Sequence, residues 1–371
     1  MRIGVPREIK PQEYRVGITP EAAREYLRHG HDLLVESGAG SGIGAADDDY
    51  AALGAVIVNT RDALFADADM IVKVKEPQPD EWVLLRPGQI LFAYLHLAAD
   101  PPQARGLARS GCTAIAYETV TDGRGGLPLL APMSEIAGRM AVESAALSLR
   151  RLQVGRGLLM GGVPGVNPAR VLVIGGGNVG TQAARMAVAL GADVVVIDRS
   201  LVRLRDLDTM FQGRIRTRMS TAHAIEEEIA LADVVIGAVL IPGASAPHLV
   251  TRAMLGRMKK GAVLVDVAID QGGCFETSRP TTHEDPVFII DGIVHYCVAN
   301  MPGAVPLTAS QALNHATLPY GLALADNGIA ALLKDEGFLS GLNVHHGQIT
   351  NAAVAQSLGE KMVDARAAIS A

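Results

Sequence analysis

Val171-Leu172-Val173-Ile174 runs directly into Gly175-Gly176-Gly177-Asn178-Val179-Gly180, a Gly-x-Gly-x-x-Gly pattern, and the helix-forming stretch Thr181–Leu190 follows. A second apolar run, Val194–Ile197, ends on Asp198, 18 residues beyond Gly180. Each glycine has its own reason to be there: Gly175 permits the tight turn, Gly177 lets backbone amides approach a pyrophosphate, and Gly180 lets the helix pack closely on the strand. The helix amino terminus then faces the phosphate charge. A carboxylate at the place of Asp198 accepts hydrogen bonds from the adenine ribose hydroxyls and repels a 2′-phosphate, so the predicted cofactor is NAD. Arg199 and Arg203 lie close by and could neutralise such a phosphate, which leaves NADP as the alternative. A bare Gly-x-Gly-x-x-Gly also reads as a turn without ligand, but here strand, helix and acid stand in register.

Hydride chemistry on a small substrate further needs a holder for a carboxylate, a donor to polarise a carbonyl or imine, and an acid or base. Arg15, in Glu13-Tyr14-Arg15-Val16, offers the bidentate guanidinium; the alternative is a surface arginine. In Ile71-Val72-Lys73-Val74-Lys75-Glu76-Pro77 the alternation puts Lys73 and Lys75 on one strand face, and one of them is expected to point into a cleft. His96 follows Leu91-Phe92-Ala93-Tyr94-Leu95 at a strand's carboxyl end, where open α/β sheets hold ligands, and an imidazole suits proton transfer; a satisfied core histidine is the alternative. Of the two acids in Val265–Gly273, Asp270 lies outside the strand and is the better candidate than Asp266. The other histidines, His345 and His346 included, lack partners at ligand spacing and read as solvated or structural, so no metal site is predicted.

These residues need strands to carry them. β-branched runs at Ile3–Val5, His31–Val35, Ala55–Val58, Met70–Val74 and Gln89–Tyr94 alternate with helix-like stretches, the signal of a parallel sheet. A second series follows at Val171–Ile174, Val194–Ile197, Val234–Ala238, Val263–Val267 and Ile293–Val298; its nearly continuous apolar character predicts strands covered on both faces. A long connecting helix is expected over Pro132–Leu152 with Ser134 near its first turn, and a mostly helical tail after Pro306 with no further strands. The predicted fold is therefore α/β, with two Rossmann-like, doubly wound parallel-sheet domains separated by a cleft. The first is discontinuous, residues 1–128 with 308–371, and carries the substrate; the second, 129–307, binds the dinucleotide.

Bulk composition agrees and excludes other classes. The 371 residues are 49% hydrophobic and only 19% charged, enough for two cores. A net charge of −6 without a Lys/Arg cluster speaks against nucleic acid or an anionic membrane as partner. Three cysteines without a Cys-x-x-Cys pair predict a reducing, cytoplasmic setting, and no apolar run approaches a membrane span or an export signal.

Gly4-Val5-Pro6-Arg7-Glu8 with Glu13-Tyr14-Arg15-Val16-Gly17-Ile18-Thr19-Pro20 resembles the amino-terminal signature shared by alanine dehydrogenases and the NAD-binding subunit of proton-translocating transhydrogenase. The resemblance continues in order through Lys73–Pro77, Leu95–Ala98, Tyr117-Glu118-Thr119, Ala131–Glu135, Gly161–Gly165, the glycine fingerprint, Asp266–Gly273 and Val298–Pro302. Gln12, where asparagine is usual, and Gly17 and Val179, where alanine is usual, depart from it without removing a group assigned to chemistry. It implies reversible oxidative deamination of L-alanine to pyruvate and ammonia, with NAD, in a homo-oligomer, a hexamer. It further implies that Arg15 and Lys75 bind the substrate's carboxylate and its oxo or amino group, that His96 and Asp270 manage protons, and that Ser134 meets the pyrophosphate. Asn178, Val179, Asp198, Arg203, Ser220, Val239, Leu240, Val267, Ala268, Ile269, Asp270, Arg279, Val298, Ala299, Asn300 and Met301 would surround the dinucleotide. The alternative is a hydride-exchanging transhydrogenase subunit; retention of Arg15, Lys75, His96 and Asp270 together favours the amino-acid enzyme.

Overall fold

Runs such as Arg170–Ile174, where every side chain after the arginine is branched and apolar, suit a pleated surface buried on both sides, and they form the strands. The computed structural model describes residues 1–239 and 248–370. In chain order the strands are β1 (Arg2–Val5), β2 (Asp32–Glu36), β3 (Val56–Val58), β4 (Met70–Val72), β5 (Ile90–Ala93), β6 (Thr113–Ala116), β7 (Arg170–Ile174), β8 (Asp193–Asp198), β9 (Arg216–Met219), β10 (Val234–Gly237), β11 (Val263–Asp266), β12 (Val287–Ile290), β13 (Ile293–Tyr296), β14 (Leu342–His345) and β15 (Gln348–Ile349).

The chain divides into two units, Met1–Met133 with Gly303–Ala371, and Ser134–Pro302. The first holds a sheet of order β15-β14-β6-β5-β4-β1-β2-β3, and the second one of order β12-β13-β11-β10-β7-β8-β9. Both are doubly wound: from the first strand of each, the chain steps outward on one side and then returns to build the other. The direction of winding reverses between β1 and β4 in one sheet and between β7 and β10 in the other, and crevices at the carboxyl ends of such strand pairs are where these folds take ligands.

Both sheets are mixed where pure parallel sheets were expected. β12 runs antiparallel to β13, β14 to β6, and β15 to β14. The tail after Pro306 thus carries two strands as well as helices. Leu342 and Val344 of β14 are fully buried, so the tail covers an edge that β6 would otherwise present to solvent. The connecting helix is shorter than expected, Ala131–Ser148, and is followed by a 3-10 turn at Arg151–Gln153 in which Leu152 is 95% exposed.

β7 shows how the layers are held. Val171 and Val173 pack with Ala183, Ala184 and Ala187 of the helix Asn178–Ala189, whereas Leu172 and Ile174 pack with Ile225 and Ile229 of the helix Ala222–Leu231. Each such side chain contributes on the order of 1.5–3 kcal/mol on burial, so a period-2 strand cements a helix to each face. Among the described residues no helix is long and apolar enough to cross a membrane.

Candidate functional site

The turn after β7 shows why glycine is needed at two positions. Gly175 has φ +101°, and a Cβ there would lie 2.6 Å from the Ala238 carbonyl oxygen. A Cβ on Gly180 would come within 1.8 Å of the Gly175 carbonyl oxygen, so only hydrogen lets the helix sit this close. A Cβ on Gly177 would meet nothing within 4 Å, which leaves open space beside the amino terminus of Asn178–Ala189; no side chain caps this terminus. Uncapped first-turn amides next to an open glycine suit a pyrophosphate.

Two charged side chains grip the Gly176 peptide. Asp198, the last residue of β8, accepts the Gly176 N–H at 2.7 Å on Oδ2 and the Ser200 N–H at 2.8 Å on Oδ1. Arg203 donates from Nε to the Gly176 carbonyl at 2.5 Å and from Nη2 to the Thr181 hydroxyl. A carboxylate has about four acceptor positions, so Asp198 retains capacity for a ribose diol while holding the turn. Ser220 is adjacent, its N–H bonded to the Asp198 carbonyl at 2.9 Å.

The other second-unit candidates also follow strand ends. Val239 comes after β10 and packs beside Gly175; Leu240 lies outside the described residues. Val267 and Ala268 lead from β11 into the 3-10 turn Ile269–Gln271, where Asp270 is exposed and Ile269 buried. The loop is anchored by Asp266, which is fully buried and accepts bonds from the Ser278 hydroxyl at 2.5 Å and the Cys274 N–H at 2.9 Å on Oδ2, and the Ala268 N–H at 3.2 Å on Oδ1. Burial raises the Asp266 pKa in spite of these donors. Arg279 stacks on Phe288, 4.3 Å from the ring centre. Beyond β13, Val298 and Met301 are buried, Ala299 is half-buried, and Asn300 takes φ +61°, a left-handed conformation to which asparagine is suited. Ser134 is half-buried in the helix Ala131–Ser148.

In the first unit, Arg15 and Lys75 leave the two strands that border the winding reversal. Arg15, on the loop after β1, is 2% exposed, so the surface-arginine alternative is excluded. Glu13 fixes its plane: Nε donates to Oε1 at 2.6 Å and Nη2 to Oε2, while Nη1 faces the Met133 sulfur at 3.1 Å. Lys73 and Lys75 lie past the end of β4 and not on it, so the strand alternation expected of them does not apply. Lys73 is completely buried, 3.0 Å from Glu8 and 2.9 Å from Glu81. Burial works against its ammonium, but the two carboxylates hold its pKa above the ordinary lysine value. Lys73 is thus structural and Lys75, half-buried, is the functional candidate. Glu8 also accepts the backbone N–H of Val74 at 2.7 Å and of Lys75 at 3.3 Å, which pins the segment bearing Lys75.

His96 follows β5, the next strand across the sheet. Its side chain is 49% exposed, which removes the core-histidine alternative, and its φ is +50°. A non-glycine residue held there costs of order 1–3 kcal/mol and persists only where its surroundings enforce it. Glu118, at the end of β6, does so by accepting the N–H of His96 at 2.6 Å and of Leu95 at 3.2 Å; Oε1 lies 3.9 Å from His96 Nδ1. Tyr94 stacks on His96, 6.0 Å between centroids, and donates to the Leu129 carbonyl at 2.5 Å. Glu8, Glu13, Tyr94 and Glu118 carry no role that residue type and spacing alone assign. The resembling motifs contain Glu8, Glu13 and Glu118, but nothing in their spacing says which backbone amides their carboxylates meet.

The comparisons with known proteins cover the same architecture. Residues 4–137 match the model "Alanine dehydrogenase/PNT, N-terminal domain" and residues 141–352 match "Alanine dehydrogenase/PNT, C-terminal domain". A curated alanine dehydrogenase of Halomonas elongata is 57% identical, with 100% of each chain covered. Among solved structures, one titled L-alanine dehydrogenase superposes with a TM-score of 0.94 at 50% identity, covering 97% of this chain and 99% of its own. A transhydrogenase from Sinorhizobium meliloti superposes at 0.83 with 26% identity, covering 94% and 100%. With both family models matched in order and full-length relatives above half identity, the chain belongs to the alanine dehydrogenase/PNT family.

Proposed function

We propose that this chain is an L-alanine dehydrogenase that converts L-alanine and NAD to pyruvate, ammonia and NADH, reversibly. The observation that carries the reading is the placement of Arg15 and Lys75 on the loops leaving β1 and β4, the pair at which the first sheet reverses its winding, with His96 on the next strand exit. The dinucleotide supplies the hydride acceptor. The chain supplies orientation, electrostatics and proton handling.

Arg15, its plane fixed by Glu13, and Lys75, on a segment fixed by Glu8, hold the substrate's carboxylate and its amino or oxo group. Loss of the Cα hydrogen as hydride leaves an iminium on the substrate; water adds to its carbon, a base takes the water proton, and ammonia departs once its nitrogen is protonated. His96 and Asp270 share this proton traffic. The glycine turn, Ser134 and the first-turn amides at Asn178 and Val179 receive the pyrophosphate. Ser220, Val239, Leu240, Val267 to Asp270, Arg279 and Val298 to Met301 line the remainder. Asp198 selects NAD over NADP, and the commitment of Arg203 to the Gly176 carbonyl and Thr181 hydroxyl supports that choice by engaging the guanidinium a 2′-phosphate would need.

The active form is a hexamer in the cytoplasm. Self-association is supported by Leu147, Leu152, Val154, Leu159, Val163 and Val166, all exposed in the single chain within one short segment. Three unpaired cysteines, Cys112, Cys274 and Cys297, suit a reducing compartment. The test is to mix purified protein, NAD and L-alanine at alkaline pH and follow the absorbance of the reduced cofactor. Growth of that signal with alanine supports the reading; silence with alanine but exchange between two dinucleotides supports the transhydrogenase alternative.

A further inference from the structure

The helix Pro20–Arg28 ends at His29, Gly30 turns the chain with φ +82°, and His31 precedes β2. The turn aims both imidazoles at Asp326, near the end of the helix Pro306–Asn327. Asp326 Oδ2 lies 3.1 Å from His29 Nδ1, and Oδ1 lies 2.8 Å from His31 Nε2. Donor atoms of all three residues fall within 4.8 Å of one another. The His31 side chain is 8% exposed, and those of His29 and Asp326 are 42% and 38% exposed, so the cluster is seated on the protein and open to solvent on one side. It lies at the amino ends of β1 and β2, whereas Arg15, Lys75 and His96 follow the carboxyl ends of their parallel strands, so the reaction proposed above does not use it.

We infer that His29, His31 and Asp326 form a binding site for one borderline divalent cation of the Zn²⁺ class, held by His29 Nδ1, His31 Nε2 and a carboxylate oxygen, with water completing the shell. Two imidazoles and one carboxylate suit Zn²⁺, Co²⁺ or Ni²⁺, whereas Ca²⁺ and Mg²⁺ prefer all-oxygen shells. Tetrahedral bonds of about 2.0–2.2 Å place neighbouring donors roughly 3.4 Å apart. The observed 2.8 and 3.1 Å are hydrogen-bond separations, so each carboxylate–imidazole pair needs to part by only a few tenths of an ångström, while the three donors, already within 4.8 Å of one another, close on the shared cation. The half-exposed His29 and Asp326 side chains have room for that. A cation here would tie the amino-terminal stretch of the first unit to its carboxyl-terminal stretch and raise thermal stability by mass action.

The full chain, stripped of metal by chelation and exchanged into chelator-free buffer, is titrated with Zn²⁺ alone by calorimetry and with Co²⁺ alone by visible absorption. We expect one cation per chain at micromolar affinity, a visible Co²⁺ band, and a rise in Tm with Zn²⁺. His29→Ala and Asp326→Asn, both at half-exposed positions that the fold tolerates, should each weaken uptake at least tenfold and abolish the band and the Tm rise. No one-to-one uptake by the parent chain, or uptake equally tight in both variants, would overturn the site and leave a carboxylate hydrogen-bonded to two imidazoles.

Discussion

His96 is presented on a backbone held in the left-handed region by Glu118, with Tyr94 stacked against the ring. General acid–base groups contribute about 10²–10⁴-fold to rate, so His96→Ala is expected to lower kcat at least ~100-fold. It should leave the Kd for NAD within about twofold, since the ring belongs to the first unit and the glycine turn to the second; steady-state kinetics with a binding titration decide, and near-parental turnover would remove His96 from the mechanism. Lys73 makes the opposite case. Lys73→Met strands the buried carboxylates of Glu8 and Glu81 and should cost about 3–5 kcal/mol, read as a fall in the urea midpoint. Adding Glu8→Gln and Glu81→Gln should recover most of the loss; no recovery would mean that packing, not charge, is the function of Lys73. The residue types of Arg15, Lys75 and His96, and the strand-end positions of the last two, could be read in the sequence. Which of Lys73 and Lys75 is buried could not be read from their spacing, and only the resemblance singled out Lys75, because burial of Lys73 depends on Glu8 from the loop after β1 and Glu81 from the short helix Pro79–Trp82.

The strand-turn-helix at Arg170–Ala189 is the element on which the proposed cofactor binding rests. Gly180→Ala would drive a methyl into the Gly175 carbonyl, 1.8 Å away, and backbone cannot move aside as a flexible side chain could. We expect NAD affinity to fall at least tenfold with substrate carboxylate recognition retained; affinity within twofold of the parent would show that the turn relaxes without cost. This element was fully legible, because its glycines, its apolar runs and Asp198 form a local pattern. β9, Arg216–Met219, was invisible: two of its four residues are arginines, which meet Asp193, Glu227 and Glu228 at a sheet edge and give no apolar run. β14 and β15 escaped for a related reason. Four and two residues long, they are strands because β6 offers an edge, not because of their own periodicity.

The molecule is built on two sheets with the same winding order, and the proposed function puts Arg15, Lys75 and His96 on one and the dinucleotide turn with Asp270 on the other. The exposed apolar side chains along residues 147–166 predict self-association, and for the hexamer proposed from the family resemblance light scattering should return about six times the 38.9 kDa chain mass. A monomeric mass would require another role for that surface. In the proposed reaction the α-hydrogen of alanine is delivered to a dinucleotide bound by this chain. The transfer is tested by a turnover with NAD and L-alanine deuterated at Cα, followed by mass spectrometry of the reduced dinucleotide. NADH heavier by one deuterium, formed in step with pyruvate and ammonia, is expected; unlabelled NADH, or pyruvate without NADH, would contradict that transfer.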